Sequence, residues 1–407
     1  MASEVPVNTF GRNKVRERKI PLTLEGAEAR IIYHKFQEFE VKTLLVSFDD
    51  KRRSISTMEG FKEVRFVGNH YEPPELWEYL HQHFEEYRGW LPGSLGLPFE
   101  ESAFLFTGVD MDNLTTAEES FEEFKVCCLA TAGVKSNAMR IGVDRAGSVE
   151  REGKFERLPG TVNIVLLTNA ALTDGALARA IITVTEAKTS VLQDLDIRSS
   201  YNPEVQATGT GTDNIVVVSG QGPSVRYVGG HSKMGELVAE TTYRAVTEAV
   251  GKQNGLFPGR PLEERLKERG IGLEELVEAG MEMYIPDPEI GGRKEVSSRL
   301  MHEISRALKD PNICSLILAG MKLEEEGKRG SIPGLSSEEY GKDPVHLIAD
   351  EILGIQIATY IGGSRALFEF ERFDRKKPGV LGKLPPILDD VIGGLISGCL
   401  VKVCSST

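Results

Sequence analysis

The feature that most constrains the fold is a change of pattern near Gly251, where GKQNGLFPGRP gathers glycines and prolines between two unlike stretches. Before it, FEVKTLLVSF and KEVRFVG read as strands ahead of a helix around Pro74 to Tyr87. FKVCCLATAG, GTVNIVLLT and NIVVVSG then alternate with helical patterns over Asp174 to Leu195 and Ser232 to Val250. After it, LEERLKERG, LEELVEAGMEMY, Val296 to Leu308, Val345 to Tyr360 and the final LDDVIGGLISGCLVKV all repeat at helical period. One layer architecture cannot serve both halves. The expectation is a multidomain chain: an α+β domain over residues 1–252 with helices packed on mixed sheets, a linker over 253–261, and an all-α helical bundle over 262–407.

Hydrophobic residues make up 40% of the 407, which supplies real cores and excludes general disorder. Asp and Glu number 61 against 48 Lys and Arg, a net charge of −13 that repels polyanions and argues against nucleic-acid partners. Small-molecule substrates are the expected partners, and oligomeric state is not legible. No apolar run reaches the roughly 18 residues of a transmembrane segment, and Met1 to Lys14 lacks a signal-peptide core, so a cytoplasmic protein is expected. The five cysteines show no CxxC spacing, and Cys127–Cys128 lies in an apolar run that suits two core side chains.

Three polar clusters interrupt the apolar sequence of the first half, each at a strand end: Thr131 to Asp144, Pro159 to Asn163 and Ala207 to Asp213. Glycines there allow close backbone approach while the strands hold geometry. The GTG of the third cluster runs into a strand and not into a helix, so neither a P-loop nor a dinucleotide fingerprint is supported. On the helix from Asp174, Leu177, Ile181, Val184 and Val191 form one stripe with Lys188 in its midst, whereas Glu186 projects to the other side. Lys188 either snorkels from the stripe's edge or serves as a desolvated general base. His231, beside a helix that Ser232 can cap, is either an acid/base group or a plain loop histidine.

The runs CLATAGVKSNAMRIG, PGTVNIVLLTNAALTDGALARAIITVTEAK, ATGTGTDNIVVV and YVGGHSKMGELV resemble the adenosylcobinamide amidohydrolase family of archaeal corrinoid salvage, over roughly Ala103 to Val250. That resemblance implies cleavage of the amide joining aminopropanol to a corrin side chain, giving adenosylcobyric acid. A further similarity of GTVNIVLLTNAALT to self-cleaving aminopeptidases and nylon-oligomer amidases puts Thr161 at the place of a hydroxyl nucleophile, with a possible chain cut at Gly160–Thr161. In that scheme the base is a freed amino group or Lys188, and loop amides near Gly209 stabilise the oxyanion. The competing scheme activates water with His231 or Asp213. Asn137, Asn163, Glu186, Thr208, Gly209, Thr210 and Thr212 are the candidate substrate-binding positions.

In the second half, Asp343-Pro344 reads as a helix start, which would place Asp343, His346 and Asp350 on one face beside Glu351. RFDRKKP and LDDVIGG add further acidic and basic residues. Clustered carboxylates repel unless a cation compensates, and oxygen ligands without thiols favour Mg²⁺ or a similar hard ion. KDPVHLIADEILG, FEFERFDRKKPG and LDDVIGGL resemble the phosphatidylglycerophosphatase A family and, more closely, α-ribazole-5′-phosphate phosphatases, over about Pro261 to Val403. The resemblance implies metal or phosphate roles for Asp350, Glu351, Asp374, Asp389 and Asp390, with Asp343 and Lys377 as further members. Glu371 stands where the lipid phosphatases carry Arg, the arginine here being Arg372, which weighs against a lipid substrate. Together the halves imply a bifunctional hydrolase of cobalamin biosynthesis and cobinamide salvage. The rival is a corrinoid-binding module fused to a lipid-phosphate phosphatase.

Overall fold

In the computed structural model, which describes residues 16–147 and 160–405, the three apolar runs of the first half become strands covered on both faces. A strand buried on both sides has no polar face to alternate with, which is why these runs are apolar nearly throughout. The chain divides into two units, Met1–Pro258 and Gly259–Thr407.

The first unit begins with β1 (Arg16–Ile20), β2 (Ala27–Phe36), β3 (Phe39–Ser56), β4 (Gly60–Tyr71), α1 (Trp77–Ser94), β5 (Ser102–Thr107), β6 (Thr115–Phe121) and β7 (Phe124–Ala132). It continues with β8 (Ala138–Met139), β9 (Val162–Thr168), β10 (Ala171–Leu172), α2 (Asp174–Asp194), β11 (Gly209–Thr210), β12 (Asn214–Val218), β13 (Ser224–Val225) and α3 (Lys233–Asn254). Nine strands make one mixed sheet along β1-β2-β3-β12-β9-β7-β6, with β4 and β5 branching from β3. The branch follows from the length of β3: its first half pairs with β2, and Ser54–Ser56 beyond a register shift pairs with β12.

Helices α2 and α3 cover one face of the central strands, where Cys128, Ile164, Leu166, Ile215 and Val217 meet Leu177, Val184, Leu237 and Val246. The opposite face carries Cys127, Leu129, Val165, Leu167 and Val216 against Ile31, Leu44, Val46 and Val67. Adjacent strand residues point to opposite faces, so the two cysteines enter different cores, and burial pushes the Cys128 thiol up to about 12. The Ser232 hydroxyl accepts from the Gly235 N–H and starts α3 as its sequence suggests.

The second unit contains α4 (Leu262–Lys267), α5 (Leu273–Met283), α6 (Arg293–Ala307), α7 (Pro311–Arg329), α8 (Ser337–Tyr340), α9 (Ala349–Gly362), α10 (Arg365–Lys376) and α11 (Pro386–Ser405), with no strand among the described residues. α11 is apolar around most of its circumference because α5, α6, α7, α9 and α10 pack around it. No helix among the described residues is long and apolar enough to cross a membrane.

The helix expected from Asp343 does not form there. Asp343 is left-handed at φ +51° and its N–H closes a turn to the Tyr340 carbonyl, while the Leu347 N–H closes another to Pro344. α9 therefore starts at Ala349, and Asp343, His346 and Asp350 do not share a helical face. Both Asp343 and His346 are exposed.

Candidate functional site

Parallel pairing of β9 with β12 sets Asn163 opposite Asn214, so the residues just before these strands, Thr161 and Asp213, lie at the same end of the sheet. Antiparallel β7 ends beside them, since Ala132 pairs with Val162, and delivers the Gly133 to Asn137 loop. The β8–β11 pair then holds Gly209 and Thr210 against Met139 and Ala138. Three distant polar clusters thus meet at one point.

Asp213 is the hub. Its Oδ1 accepts from the Val162 N–H at 3.0 Å and the Thr210 hydroxyl at 2.5 Å, and its Oδ2 from the Thr210 N–H at 3.0 Å and the Lys188 ammonium. Lys188 is buried on α2, so its charge is balanced inside the protein by this ion pair. Gly209 is required beside the pair, because a Cβ there would stand 2.5 Å from Asp213 Oδ2 and 2.6 Å from Lys188 Nζ.

Thr161 is only 4% exposed, and its hydroxyl donates to the Thr212 carbonyl at 2.5 Å, with Asn163 Oδ1 at 3.2 Å. Asn163 is fixed in turn, donating at 2.8 Å to both Asn69 Oδ1 and the Phe106 carbonyl. The preceding residue, Gly160, has φ +101°, and a Cβ on it would come within 2.7 Å of Ser136 Oγ. Its carbonyl oxygen accepts from Asn137 Nδ2 at 3.0 Å and from the Thr212 hydroxyl at 2.8 Å. Two side-chain donors therefore hold an amide carbonyl next to a buried hydroxyl. This is the arrangement that stabilises an oxyanion when an amide is attacked.

The structure gathers Thr161, Lys188, Asp213, Asn137, Asn163, Gly209, Thr210 and Thr212, with Thr208 at the margin, its carbonyl accepting from Thr189. It does not gather Glu186 or His231. Glu186 is exposed on the far side of α2, and exposed His231 packs near the Tyr227 ring, with no hydrogen bond or ion pair to the cluster among the described residues. Loop amides near Gly209 are committed elsewhere: the N–H groups of Thr208, Thr210 and Gly211 donate to Met139, Asp213 and Asn137. The donors presented to a carbonyl are the side chains of Asn137 and Thr212 instead. Tyr201, which donates to Asn137 Oδ1 at 2.9 Å, and Asn69 were not legible in the sequence; a polar residue amid the apolar pattern of β4 is the only signal Asn69 gives.

In the second unit, α9 and α11 cross so closely that a Cβ on Gly394 would run into the Gly354 backbone, and one on Gly354 would stand 2.6 Å from the Asp390 carbonyl. The close crossing brings carboxylate oxygens of Asp350, Glu351 and Asp390 within 4.8 Å of one another. Burial raises Asp350 to about 8, helped by Glu351, and raises Asp390 to about 9, helped by Asp389, Asp374, Asp350 and Glu351. Glu351 Oε2, Asp389 Oδ1 and Asp390 Oδ1 are buried and have no hydrogen-bond partner among the described residues. Desolvated carboxylates short of donors fit a hard divalent cation.

Lys377 ends α10 in a left-handed conformation and reaches Asp389 at 2.5 Å and Asp343 at 3.3 Å. Burial lifts Asp389 to about 6 although Lys377 pulls it down. Asp374 is half-buried and close enough for its charge to act on Asp390. Arg372 turns to Glu369, and Glu371 pairs with Arg375.

A family model described as adenosylcobinamide amidohydrolase matches residues 28–258, more than half of the chain. An uncharacterized protein of Methanocaldococcus jannaschii is 50% identical over 225 residues, 53% of this chain and 88% of that protein. A second uncharacterized protein of the same organism is 37% identical over 131 residues, 31% of this chain and 98% of its own length. An adenosylcobinamide amidohydrolase of Methanosarcina mazei is 26% identical over 220 residues, 50% of this chain and 92% of that enzyme.

Proposed function

The chain belongs to the adenosylcobinamide amidohydrolase family, and we propose that its first unit hydrolyses the amide joining aminopropanol to the corrin side chain, releasing adenosylcobyric acid. The observation that carries the reading is the Gly160 carbonyl held by Asn137 and Thr212 beside the Thr161 hydroxyl. Thr161 Oγ1 attacks the substrate amide carbon, the C–N bond breaks, and aminopropanol leaves with the proton that the hydroxyl gave up. Water then hydrolyses the ester on Thr161. For the substrate carbonyl to take the place of Gly160 O, the Gly160–Thr161 bond is cut or the Gly160 peptide turns away. In the cut form the α-amine of Thr161 is the base; in the intact form Lys188 acts as the base only once its ammonium has passed a proton to Asp213 Oδ2.

The water scheme has less support, because Asp213 is already saturated by four donors and His231 lies apart from the cluster. Intact mass of the purified protein distinguishes the cut form from the uncut one. Thr161→Ala is expected to lower aminopropanol release by at least about a hundredfold in either form. Full activity in that variant would remove Thr161 from the chemistry.

For the second unit we infer a phosphatase acting on α-ribazole 5′-phosphate. The supporting observation is the trio of buried Asp350 and Asp390 with half-buried Glu351, in which Glu351 Oε2 and Asp390 Oδ1 find no hydrogen-bond partner among the described residues. These three, with Asp374 and Asp389 nearby, would hold Mg²⁺ or a similar ion, which when bound polarises a phosphoryl oxygen and offsets its charge. Lys377, tethered to Asp389 and Asp343, would bind and orient the phosphate. Faster release of phosphate from α-ribazole 5′-phosphate than from phosphatidylglycerophosphate is expected with Mg²⁺ present; the reverse preference would favour a lipid-phosphate phosphatase.

A further inference from the structure

We propose that Ile141, Val143 and Tyr201 form a seat beside the Thr161 site for the apolar face of an amide-bearing macrocycle, an inference that rests on the amidohydrolase reading. Their exposures are 67%, 56% and 46%. Single exposed apolar side chains are ordinary, but these three sit on two loops bonded both to each other and to the site. Asp144 Oδ2 accepts from the Arg140 N–H at 2.6 Å and the Ser199 hydroxyl at 2.7 Å, and Ser199 Oγ accepts from the Tyr201 N–H at 3.1 Å. Toward the site, the Ile141 N–H donates to Thr208 Oγ1 at 3.0 Å, and the Tyr201 hydroxyl donates to Asn137 Oδ1 at 2.9 Å. The loops are thus fixed by polar contacts while their apolar groups face water.

Burial of Thr161 sets the shape of what can react. With Thr161 only 4% exposed, a substrate must present its amide on a slender arm and leave a bulky ring outside, against the rim. A large ring with an apolar face and amides at its edge matches both parts. Contact with the ring is the same before and during bond breaking, so it governs binding and KM while leaving kcat nearly unchanged.

The test is equilibrium dialysis with adenosylcobinamide on the full chain carrying Thr161→Ala, which keeps the ligand intact, together with steady-state kinetics on the chain with Thr161 in place. The double variant Ile141→Ser with Val143→Ser is expected to bind about tenfold or more weakly, with KM raised to match and kcat within about twofold. Tyr201→Ser is expected to weaken binding similarly, whereas Tyr201→Phe, which keeps the ring, binds close to the unsubstituted protein. Undiminished binding in the double variant and in Tyr201→Ser would overturn the seat. A protein that binds adenosylcobinamide through these residues but never releases aminopropanol would defeat the amidohydrolase reading and leave the seat standing.

Discussion

Asp213 in the first unit and Asp390 in the second are both buried or nearly buried carboxylates at the start of a core element, yet their surroundings differ in kind. Asp213 receives two backbone N–H groups across its oxygens, a hydroxyl and an ammonium, all supplied by the chain. Asp390 feels the charges of Asp389, Asp374, Asp350 and Glu351, and one of its oxygens is buried with no partner among the described residues. The comparison separates a site whose charge is balanced internally from one whose clustered carboxylates lack such balance. On the proposed reading, the first holds a positioning group and the second a set of metal ligands.

The sharpest way to break this contrast is to remove the internal balance. Asp213→Ala leaves the buried Lys188 ammonium without its partner and is expected to cost the first unit about 3–5 kcal/mol in denaturant unfolding, with much of that recovered in the double variant that also carries Lys188→Met. A loss below about 1 kcal/mol would show that Asp213 is not the hub described. In the second unit the corresponding manipulation is chelation. EDTA followed by dialysis is expected to lower phosphate release by about a hundredfold or more while amide cleavage stays unchanged, and Mg²⁺ should restore it. Phosphate release that survives chelation would contradict the ligand role of Asp350, Glu351 and Asp390.

Opposite pH dependence sharpens the comparison further. His70 is buried and holds Thr43 and Tyr87 at 2.7 Å; burial, with His34 nearby, keeps its pKa well below the usual 6.5, and burial lowers His34 to about 4. The unfolded chain binds protons that these histidines refuse, so the first unit is expected to lose stability as pH falls below about 6.5, at up to about 1.4 kcal/mol per histidine per pH unit. Asp350 and Asp390 carry raised values, so the folded second unit holds protons that the unfolded chain gives up. Without divalent ions its stability should fall as pH rises from about 4 toward 9, and Mg²⁺ should flatten that slope. Melting of the full chain across this range, with and without Mg²⁺, checks both signs.

Much of the scaffold was legible because its signals are local. The apolar runs of β7, β9 and β12, the buried stripe of α2 and the Ser232 cap each lie within one segment. The stripe placed Lys188 inside but could not reveal that its partner is Asp213, which is brought there by the parallel pairing of β9 and β12. The contacts on Gly160 come from Asn137 and Thr212, on separate loops, so the oxyanion role fell to nearby glycine amides that hydrogen bonding already occupies. In the second unit the acidic residues were visible, but their grouping depends on which helices cross at Gly354 and Gly394. Asp343-Pro344 resembled a helix start since an acid followed by proline suits one, yet the left-handed turn at Asp343 uses the same pair to end the preceding segment.

The most direct test of two independent hydrolytic sites in one polypeptide follows aminopropanol and phosphate release in parallel for the unsubstituted protein, Thr161→Ala and Asp350→Asn. Independence of the two sites predicts that Thr161→Ala abolishes the first product alone and Asp350→Asn the second alone. Loss of both products from either substitution, or of neither from both, would contradict it.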